Sequence, residues 1–544
     1  MCTVRITSAR IISVIALLAL VVGSTPARVY GETPDSVTTN GEPNDVNAPH
    51  LNMIVRDSYL PGVPVLVRVE IAGPNDVVKR EVWDANAVLS VSGNPTVKLS
   101  ADRVLLYNGL GSALVTFTGT GDFELTARVD GMEKSVKLTD WSGQPVHVVS
   151  GNLRQSQTWS GVYHVTGGDL TVLYGVTLTL EPGTLVLLDG VAAGAQGTNI
   201  LVQGSLQALG TAASPVTFTA YTTGRNWGQL HFVNAAKPSL FRYAEIMRAG
   251  RAPGAGHTGT GPAVAVFNST VTFEHASLTD NAGKIMQTYA KTELTFLDTL
   301  FSRSVMGPEI SGSSLLFQDG WIIDMRNKDD ADGIYIHSQM SGQTCTLVNS
   351  VIAGTDDDGI DTLGSKVVVQ DCLIRGCKDK GVSIFDGETT ILHCLLAGNN
   401  LAPEDPTITS IGAKASEGKT TVVNIDHTTI IASRCPGRID AGLQSNNKYG
   451  VKTGTIRYTV TNSIIDATQP VSIEVPYLSS DIHLSYSDLT GAAWPGIGNL
   501  NVDPQFVDAP HNDFRLRTTS PCRGRASPES PMRDMGYYQF APKE

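Results

Sequence analysis

A repeat of apolar residues between positions 273 and 489 constrains the fold of this 544-residue chain more than any other feature. In nine copies, spaced 21 to 35 residues apart, one apolar residue is followed five positions later by another. The first positions are Phe273, Phe296, Phe317, Leu347, Val369, Ile391, Ile425, Val460 and Leu484. The second positions are Leu278, Phe301, Ile322, Ile352, Ile374, Leu396, Ile430, Ile465 and Leu489. An irregular region would not keep two such columns through nine copies, so the sequence predicts a solenoid of stacked coils.

A polar residue followed by a small residue separates the two apolar columns in every copy. The polar positions are His275, Asp298, Asp319, Asn349, Asp371, His393, His427, Asn462 and Tyr486. The small positions are Ala276, Thr299, Gly320, Ser350, Cys372, Cys394, Thr428, Ser463 and Ser487. Because side chains alternate along a strand and the columns are an odd number of residues apart, the chain must bend between them for both to point inward. We therefore predict short parallel strands joined by a stacked polar turn.

The segments that flank the repeat support this interpretation. "YHVTGGDLTVLYGVTLTLEPGTLVLLDG" and "GSLQALGTAASPVTFTA" precede it, and "NVDPQFVDAPHNDFRLRTTSPC" with "DMGYYQ" follows it. Together with the repeat they resemble the right-handed parallel β-helix of the pectate lyase-like superfamily, over about residues 150 to 540. The resemblance implies a secreted protein that acts on polysaccharide, although a fold alone does not define an activity. We predict an all-β chain in which residues 151–544 form the β-helix with a C-terminal closing segment.

The first 150 residues differ in character from the repeat. Residues 1–31 are basic, then apolar, then rich in small residues, which is typical of a secretory signal peptide; a short buried helix is the alternative. Residues 32–50 contain mainly Pro, Asn and acids, and we interpret them as a flexible linker. Residues 51–140 contain alternating runs separated by turn residues, which predict a small antiparallel β-sandwich. Within them, "SALVTFTGTGDFELTARVDGMEKSVKLTD" resembles the last strands of bacterial immunoglobulin-like domains.

The charge balance restricts the ligands of the chain. It has 40 basic and 52 acidic residues, and loss of residues 1–31 would remove three arginines, so that 37 − 52 leaves a net charge of −15. Nucleic-acid binding needs clustered cations and is not expected, whereas an acidic ligand would need a bridging cation. No later run approaches 18 consecutive apolar residues, so we expect no transmembrane segment. We expect a monomer that is secreted or at the cell surface, in an extracellular or periplasmic compartment.

Acidic residues concentrate in three turns of the repeat. "ADGIYI" (331–336), "DDGIDT" (357–362) and "DKGVSI" (379–384) align on their glycines. In this register Ile334, Ile360 and Val382 point inward, and Tyr335, Asp361 and Ser383 point to solvent. Adjacent strands lie about 4.8 Å apart, so four acids should converge on one outer face: Asp332, Asp357, Asp358 and Asp361. Such a cluster needs protons or a cation such as calcium; the alternative is that Asp and Gly serve the turns alone.

The spacing of these acids resembles the calcium site of one calcium-dependent pectate lyase family. Carried over to this sequence, the resemblance implies Ca²⁺ ligands at Asp332, Asp357, Asp358 and Asp361. It also implies a lysine base on a later coil, for which Lys380 is the nearest candidate and Lys378 and Lys414 are alternatives. The spacing from the acids to the lysine of that family is not reproduced. In such enzymes the base removes a proton alpha to a uronate carboxylate that the ion holds.

Other motifs point to less specific roles. A polygalacturonase-like hydrolase is expected to contain Gly-His-Gly, which this sequence lacks, so inversion by paired carboxylates is not supported. We interpret His393 and His427 as members of the polar turn column. Cys372 and Cys394 occupy equivalent positions and could pair, but small residues at a bend explain them equally well. The six cysteines after Cys2 show no zinc-type spacing.

Two classes of function remain open. In the first, the chain is a secreted protein that binds an acidic polysaccharide and cleaves it by calcium-assisted β-elimination. In the second, it is a non-catalytic surface or matrix protein, an adhesin or glycan-binding platform braced by calcium, with the immunoglobulin-like module as spacer or adhesin. Whether it is an enzyme is open at this point, because the position of the base departs from that of the lyase family.

Overall fold

The computed structural model describes residues 48–401, 407–433, 439–447, 450–473 and 479–537. The predicted signal peptide at residues 1–31, and the predicted linker up to residue 47, lie outside these ranges. Regular structure in the described residues is β-strand, apart from the short 3-10 helices Pro74–Asp76 and Ala509–His511. None of the described helices is long or apolar enough to cross a membrane.

Residues 50–140 form a nine-stranded sheet that folds around its own core. Its strands are His50–Ile54, Ser58–Tyr59, Pro64–Ala72, Asp84–Ser92, Lys98–Leu99, Arg103–Tyr107, Leu110–Thr118, Phe123–Val129 and Met132–Asp140. The pairs are antiparallel except that Ser58–Tyr59 runs parallel to Met132–Asp140. Alternate residues such as Val67, Val69 and Leu125 are buried in the core, as the two-residue period of a strand requires. The alternating runs in this part of the sequence are therefore antiparallel strands around one core.

From residue 146 the chain winds into coils of three short parallel strands, which stack into three sheets; the second and third share their first strands and so form one sheet of 25 strands. The first sheet contains Gln157–Trp159, Thr177–Leu180, Ser205–Leu209, Ser239–Arg242, Thr270–Glu274, Glu293–Leu297, Ser314–Gln318, Cys345–Val348, Lys366–Gln370, Glu388–Leu392, Thr420–Asp426, Thr455–Thr461 and Ser479–Ser485. The second sheet contains Leu185–Leu188, Val216–Ala220, Ala244–Met247, Ser277–Thr279, Leu300–Ser302, Trp321–Ile323, Val351–Ala353, Leu373–Arg375, Leu395–Ala397, Thr429–Ile431, Ile464–Asp466 and Asp488–Thr490. The third sheet contains Ile200–Val202, Leu230–Val233, Pro262–Phe267, Lys284–Thr288, Met306–Ser311, Ile334–His337, Ile360–Leu363, Val382–Phe385, Thr407–Lys414, Ile439–Ser445 and Gln469–Ile473. The longer strands Val146–Leu153 and Val162–Val172 begin both the second and the third sheet.

The repeat register predicted from the sequence is confirmed at every step. The first apolar column pairs from Phe273–Phe296 to Val460–Leu484, and the second pairs from Leu278–Phe301 to Ile465–Leu489. Both columns lie in one continuous core. All nine polar residues between the columns have φ between 43° and 54°. This left-handed conformation, to which Asn, Asp and His are the best suited after Gly, produces the predicted bend.

The outer face of the second sheet is buried as well. A second apolar cluster joins Leu300, Trp321 and Leu373 of this face to Leu110 of the N-terminal sheet and Phe514 of the C-terminal segment. That segment forms a small hairpin of Phe506–Asp508 and Asp513–Leu516. Polar contacts between the N-terminal sheet and the coils are Arg68 to Asp298, Arg80 to Asn349, Ser112 to Arg303 and Asp84 to Arg375. The N-terminal sheet is therefore docked along the coils by both apolar and charged contacts.

The described cysteines are buried free thiols: Cys345, Cys372, Cys377, Cys394 and Cys522. Cys372 and Cys394 lie in the small column of successive coils, as predicted. Each donates a hydrogen bond from Sγ to a carbonyl oxygen two residues earlier, at 3.2 Å in both cases. Packing at the bend accounts for both residues without a disulfide. Cys2 and Cys435 lie outside the described residues.

Candidate metal centre

Three successive turns lead from the second sheet to the third sheet and carry the acidic motifs. They comprise residues 324–333, 354–359 and 376–381. The N–H of Gly333 donates to the carbonyl of Asp358 at 2.9 Å, and the N–H of Gly359 donates to that of Lys380 at 2.8 Å. A Cβ atom at Gly359 would lie only 2.6 Å from the carbonyl oxygen of Gly381. The aligned glycines therefore allow consecutive turns to stack, and the acidic side chains beside them become neighbours.

The four acids singled out by the sequence lie together in the structure; we call them the acidic cluster. Carboxylate oxygens of Asp332, Asp357 and Asp358 all lie within 4.8 Å of one another. Asp361 belongs to a second group of this kind, with Asp332 and His257. Asp332 is only 1% exposed, and its Oδ2 atom is buried without a hydrogen-bond partner. Asp332 therefore carries a buried carboxylate oxygen without a hydrogen bond, and its carboxylate lies close to those of Asp357 and Asp358.

The cluster is more buried than the sequence indicated. Tyr335 is 8% exposed and Ser383 is fully buried, so the prediction that both face solvent is wrong. The ring of His257 covers Tyr335, with centroids 4.2 Å apart. Ser383 pairs with Gly412, and the side chain of Lys380 lies directly over that glycine. Both corrections have a similar cause: the side chain of a residue outside the strands, His257 or Lys380, lies across them.

Burial and mutual repulsion raise the pKa values of carboxyl groups in the acidic cluster. Burial first, and then the charges of Asp361, Asp358 and Asp357, raise the pKa of Asp332 well above its ordinary value. Burial also raises the pKa of Asp358 well above its ordinary value, although Lys380 opposes this shift. Burial and the nearby Asp379 raise the pKa of Asp357 to about 7. Without a cation, burial and repulsion therefore favour the protonated form of these carboxyl groups.

Lys380 lies at the edge of the acidic cluster. Its Nζ atom is 2.5 Å from Oδ1 of Asp379 and 4.0 Å from Oδ1 of Asp358. Its backbone N–H also donates to Oδ1 of Asp358, at 2.8 Å. Lys378, the first alternative, instead contacts Asp356 at 2.6 Å. Lys414, the other alternative, is half-buried at the end of the strand Thr407–Lys414. Lys380 is therefore the candidate that the fold places against a cluster residue.

His257 is a residue of this site that sequence reasoning missed. Its Nε2 atom lies 3.1 Å from Oδ1 of Asp330 and 3.5 Å from Oδ2 of Asp332. It belongs to the segment 248–261, which connects Ala244–Met247 to Pro262–Phe267. This connection lies outside the repeat register, so no column pointed to it. Its Gly-rich sequence "GAGHTGTG" (254–261) was the available signal.

A buried ion pair holds the segment that carries His257. Lys284 is fully buried and donates from Nζ to the carbonyl oxygens of Ala255, at 2.7 Å, and His257, at 3.1 Å. Glu309 accepts from Lys284 and from the backbone N–H of His257. Burial alone would raise the pKa of Glu309, but its contacts with His337 and Lys284 outweigh burial and lower it. Glu309 and Lys284 thus hold the backbone of His257 in place beside the acidic cluster.

The donor set of the acidic cluster fits a hard divalent cation. Its donors are carboxylate oxygens, which calcium prefers, and several of them come from one short motif. The buried and unbonded Oδ2 of Asp332 is an atom that a cation would satisfy. An ion would also remove the repulsion that raises the pKa of Asp332 and Asp358. The residues that could hold it are Asp332, Asp357, Asp358 and Asp361, with His257 beside them.

Comparison with known proteins supports the fold. Residues 256–497 match a family model described as a right handed beta helix region, which covers 242 of the 544 residues. The coils are thus a right-handed parallel β-helix. No curated protein sequence matches the chain.

Two solved structures overlap the chain with low scores. The catalytic unit of a thermostable GH87 alpha-1,3-glucanase from Streptomyces thermodiastaticus strain HF3-3 is 13% identical, with a TM-score of 0.36, over 81% of this chain and 87% of that chain. The ZirS C-terminal domain is 11% identical, with a TM-score of 0.15, over 26% of this chain and 94% of that domain. At these scores neither overlap indicates an activity for this chain.

Proposed function

We propose that this protein binds an acidic polysaccharide through a divalent cation, calcium, held by Asp332, Asp357, Asp358 and Asp361. The observation that carries the proposal is the buried carboxylate of Asp332, which lies beside those of Asp357 and Asp358 and whose Oδ2 forms no hydrogen bond, although Nε2 of His257 lies 3.5 Å away. Buried carboxylates this close are stable only with protons or with a cation between them. The all-oxygen donor set favours calcium among common divalent ions.

The charge of the chain supports an acidic ligand that binds through an ion. The chain carries a formal net charge of −12, so a polyuronate would be repelled by most of its surface. A bound calcium would offset part of the local negative charge and supply a Lewis acid for a uronate carboxylate. Asp330 and His257, which lie at the mouth of the cluster, would then contact the ligand at the sides of the ion.

We further propose that Lys380 cleaves such a ligand by β-elimination. Its amine would take the proton from the carbon alpha to the uronate carboxylate. The electron pair of that C–H bond becomes a carbon–carbon double bond, and the glycosidic oxygen leaves with its bonding pair and takes a proton from solvent. For this role Lys380 must be neutral, and neutralisation of Asp358, 4.0 Å from Nζ, would favour the neutral amine.

A non-catalytic platform is the second candidate function, and the environment of Lys380 favours it. Its Nζ atom contacts the carboxylate of Asp379 at 2.5 Å, and this contact stabilises an ammonium group. In this alternative Lys380 is a counter-charge, and the cation-braced surface binds a glycan without cleaving it. The two functions share the cation and differ only in the role of Lys380.

The finer domain assignment belongs to the same proposal. We infer that the N-terminal sheet is immunoglobulin-like and that the chain is exported, with residues 1–31 as its signal peptide. Arg68, Arg80 and Arg375 form hydrogen bonds between this sheet and the coils. These contacts favour a sheet that is held rigidly against the coils over one that acts as a flexible spacer. Export is consistent with a glycan ligand and with a calcium-rich compartment.

Ultraviolet absorbance of unsaturated products tests cleavage directly. Polygalacturonate, alginate and other acidic glycans are incubated with the protein, with calcium or with a chelator, and binding is measured in parallel. Lys380→Ala should reduce the rate by at least about 100-fold and leave binding intact, because a base contributes about 10² to 10⁴. Lys378→Ala, the matched control on the same turn, should keep full activity. Calcium-dependent binding without product would select the platform, and absence of both would reject the proposal.

A further inference from the structure

A second group of metal-binding side chains lies at the bend between the first and second sheets, away from the acidic cluster. His393 follows the strand Glu388–Leu392, and His427 follows Thr420–Asp426 one coil later. Donor atoms of His393, Asp426 and His427 lie within 4.8 Å of one another. The two imidazole rings are 5.7 Å apart and nearly perpendicular, at 66°. Two imidazoles and one carboxylate from adjacent coils therefore face a common point.

The two ring nitrogens of His427 have different surroundings. Its side chain is only 2% exposed. Its Nε2 atom lies 3.1 Å from Oγ of Ser530, within hydrogen-bond distance. Its Nδ1 atom is buried and lies 3.0 Å from Oδ2 of Asp426, an ion-pair distance at which the geometry is not that of a hydrogen bond. A buried imidazole nitrogen in this state is suited to coordinate a metal, with the opposite nitrogen fixed by an outer partner.

The other two side chains are oriented by their own partners. Oδ1 of Asp426 accepts hydrogen bonds from Thr461 Oγ1 at 2.6 Å and from Asn462 Nδ2 at 2.8 Å. These bonds turn Oδ2 of Asp426 towards His427. Nδ1 of His393 lies 3.5 Å from Oδ1 of Asp371 on the preceding coil. Each donor residue thus has an outer contact that fixes its side chain, as in protein metal sites.

We propose that His393, Asp426 and His427 bind one divalent transition-metal ion of the zinc class. Imidazole nitrogen with one carboxylate suits zinc and its neighbours, whereas calcium prefers oxygen alone. Three protein donors leave a coordination position for water. Tetrahedral bonds of about 2.1 Å place donor atoms roughly 3.4 Å apart, so these donors, which lie within 4.8 Å of one another, would draw together around the ion. This site is independent of the acidic cluster and of the function proposed for it.

The polar turn column alone does not create such a site. His275 occupies the same column with φ of 52°, close to 51° for His393 and 43° for His427. Its partner is Asp298, at 2.6 Å, which Arg68 also contacts, and no second imidazole faces it in the described residues. The pairing of two histidines on successive coils distinguishes the proposed site from an ordinary turn position.

The ion would also fasten the C-terminal segment to the coils. Ser530 belongs to that segment, as do Ser527, whose N–H donates to Oδ1 of Asn462, and Gly536, whose N–H donates to the Asn462 carbonyl. A metal on His427 would fix the ring that Ser530 contacts and, through Asp426, the side chain of Asn462. Zinc binding should therefore raise the melting temperature of the full chain.

Cobalt and zinc titrations of the full, tag-free chain test the site. We expect one Co²⁺ per chain, with visible absorption bands typical of nitrogen and oxygen ligands, displaced by Zn²⁺ and not by Ca²⁺. His393→Gln should weaken Zn²⁺ binding at least tenfold and abolish the rise in melting temperature. His275→Gln and Asp332→Asn should leave both unchanged, which separates this site from the acidic cluster. Binding that is undiminished in His393→Gln would overturn the proposal.

A crystallographic measurement keeps the test valid if His393→Gln fails to fold. Anomalous diffraction from zinc-soaked crystals of the unaltered protein should place one ion within about 2.3 Å of His393, Asp426 and His427. A crystal without zinc at this position, or with zinc only elsewhere, would overturn the proposal.

Discussion

Calcium binding to the acidic cluster should weaken steeply when the pH falls from 7 to 5. The ligands must be ionised to bind the ion, and burial with Asp379 raises the pKa of Asp357 to about 7. The ionised fraction of that residue falls from about one half at pH 7 to about 1% at pH 5, so its protonation alone lowers the calcium affinity about 50-fold. The raised pKa values of Asp332 and Asp358 act in the same direction.

Isothermal titration calorimetry measures this effect directly. Calcium is titrated at pH 5, 6 and 7 in buffers with different ionisation enthalpies, so that released protons are counted with the affinity. We expect proton release at every pH and the loss of affinity given above. Asp357→Asn should bind more weakly at pH 7 and lose part of the pH dependence. An affinity that is constant between pH 5 and 7, without proton release, would refute the reasoning.

Three substitutions test the fold that places the site. Burial raises the pKa of Glu245 from 4.5 to about 7, so the free energy of unfolding falls as the pH rises through this range. Glu245→Gln removes this loss. In urea unfolding it should stabilise the folded state by at most about 3 kcal/mol above pH 7 and should have no such effect below pH 4. Ile374→Asp places a charge in the core and should prevent folding by circular dichroism, whereas Ile374→Val should cost about 1 kcal/mol; a folded aspartate variant would contradict the register. Gly359→Ala should separate two turns and weaken calcium binding at least tenfold, while Gly143→Ala, which has open space around it, should not.

The sequence was sufficient to predict the coils because their core is built from regular columns. Ile352, Ile374 and Leu396 pair directly on successive coils, as the five-residue spacing indicated. The polar column was predictable for the same reason, since a bend between two inward columns demands a turn conformation. The position of Asp332 beside Asp358 followed from that register. The position of a residue within the coils could thus be predicted from the sequence wherever the same position recurs in the next copy of the repeat.

Contacts made by residues outside the repeat could not be predicted from the sequence. His257 reaches Asp332 from a connection with no counterpart in neighbouring coils, and Lys284 and Glu309 support it through contacts within the fold. The burial of Tyr335 depends on the same connection, so its exposure could not be read from strand alternation. Contacts between irregular segments and distant strands leave no periodic signal in the sequence.

Docking of the N-terminal sheet did leave a signal that sequence reasoning did not use. Leu300, Trp321 and Leu373 flank the second inward column and are themselves apolar. A strand that is apolar on both faces is covered on both sides. These residues form the outer cluster with Leu110 of the N-terminal sheet. The polar contacts of the interface were not predictable, because they join residues far apart in the chain.

The position of the calcium ion is the most direct test of the central claim. Crystals of the full chain grown with calcium can be measured with long-wavelength X-rays, at which calcium scatters anomalously. We expect one strong anomalous peak among Asp332, Asp357, Asp358 and Asp361, with oxygen distances of about 2.3 to 2.6 Å. Asp332→Asn, with its fold intact, should lose that peak. Wild-type crystals without a peak there, or an unchanged peak in Asp332→Asn, would show that the acidic cluster does not hold calcium.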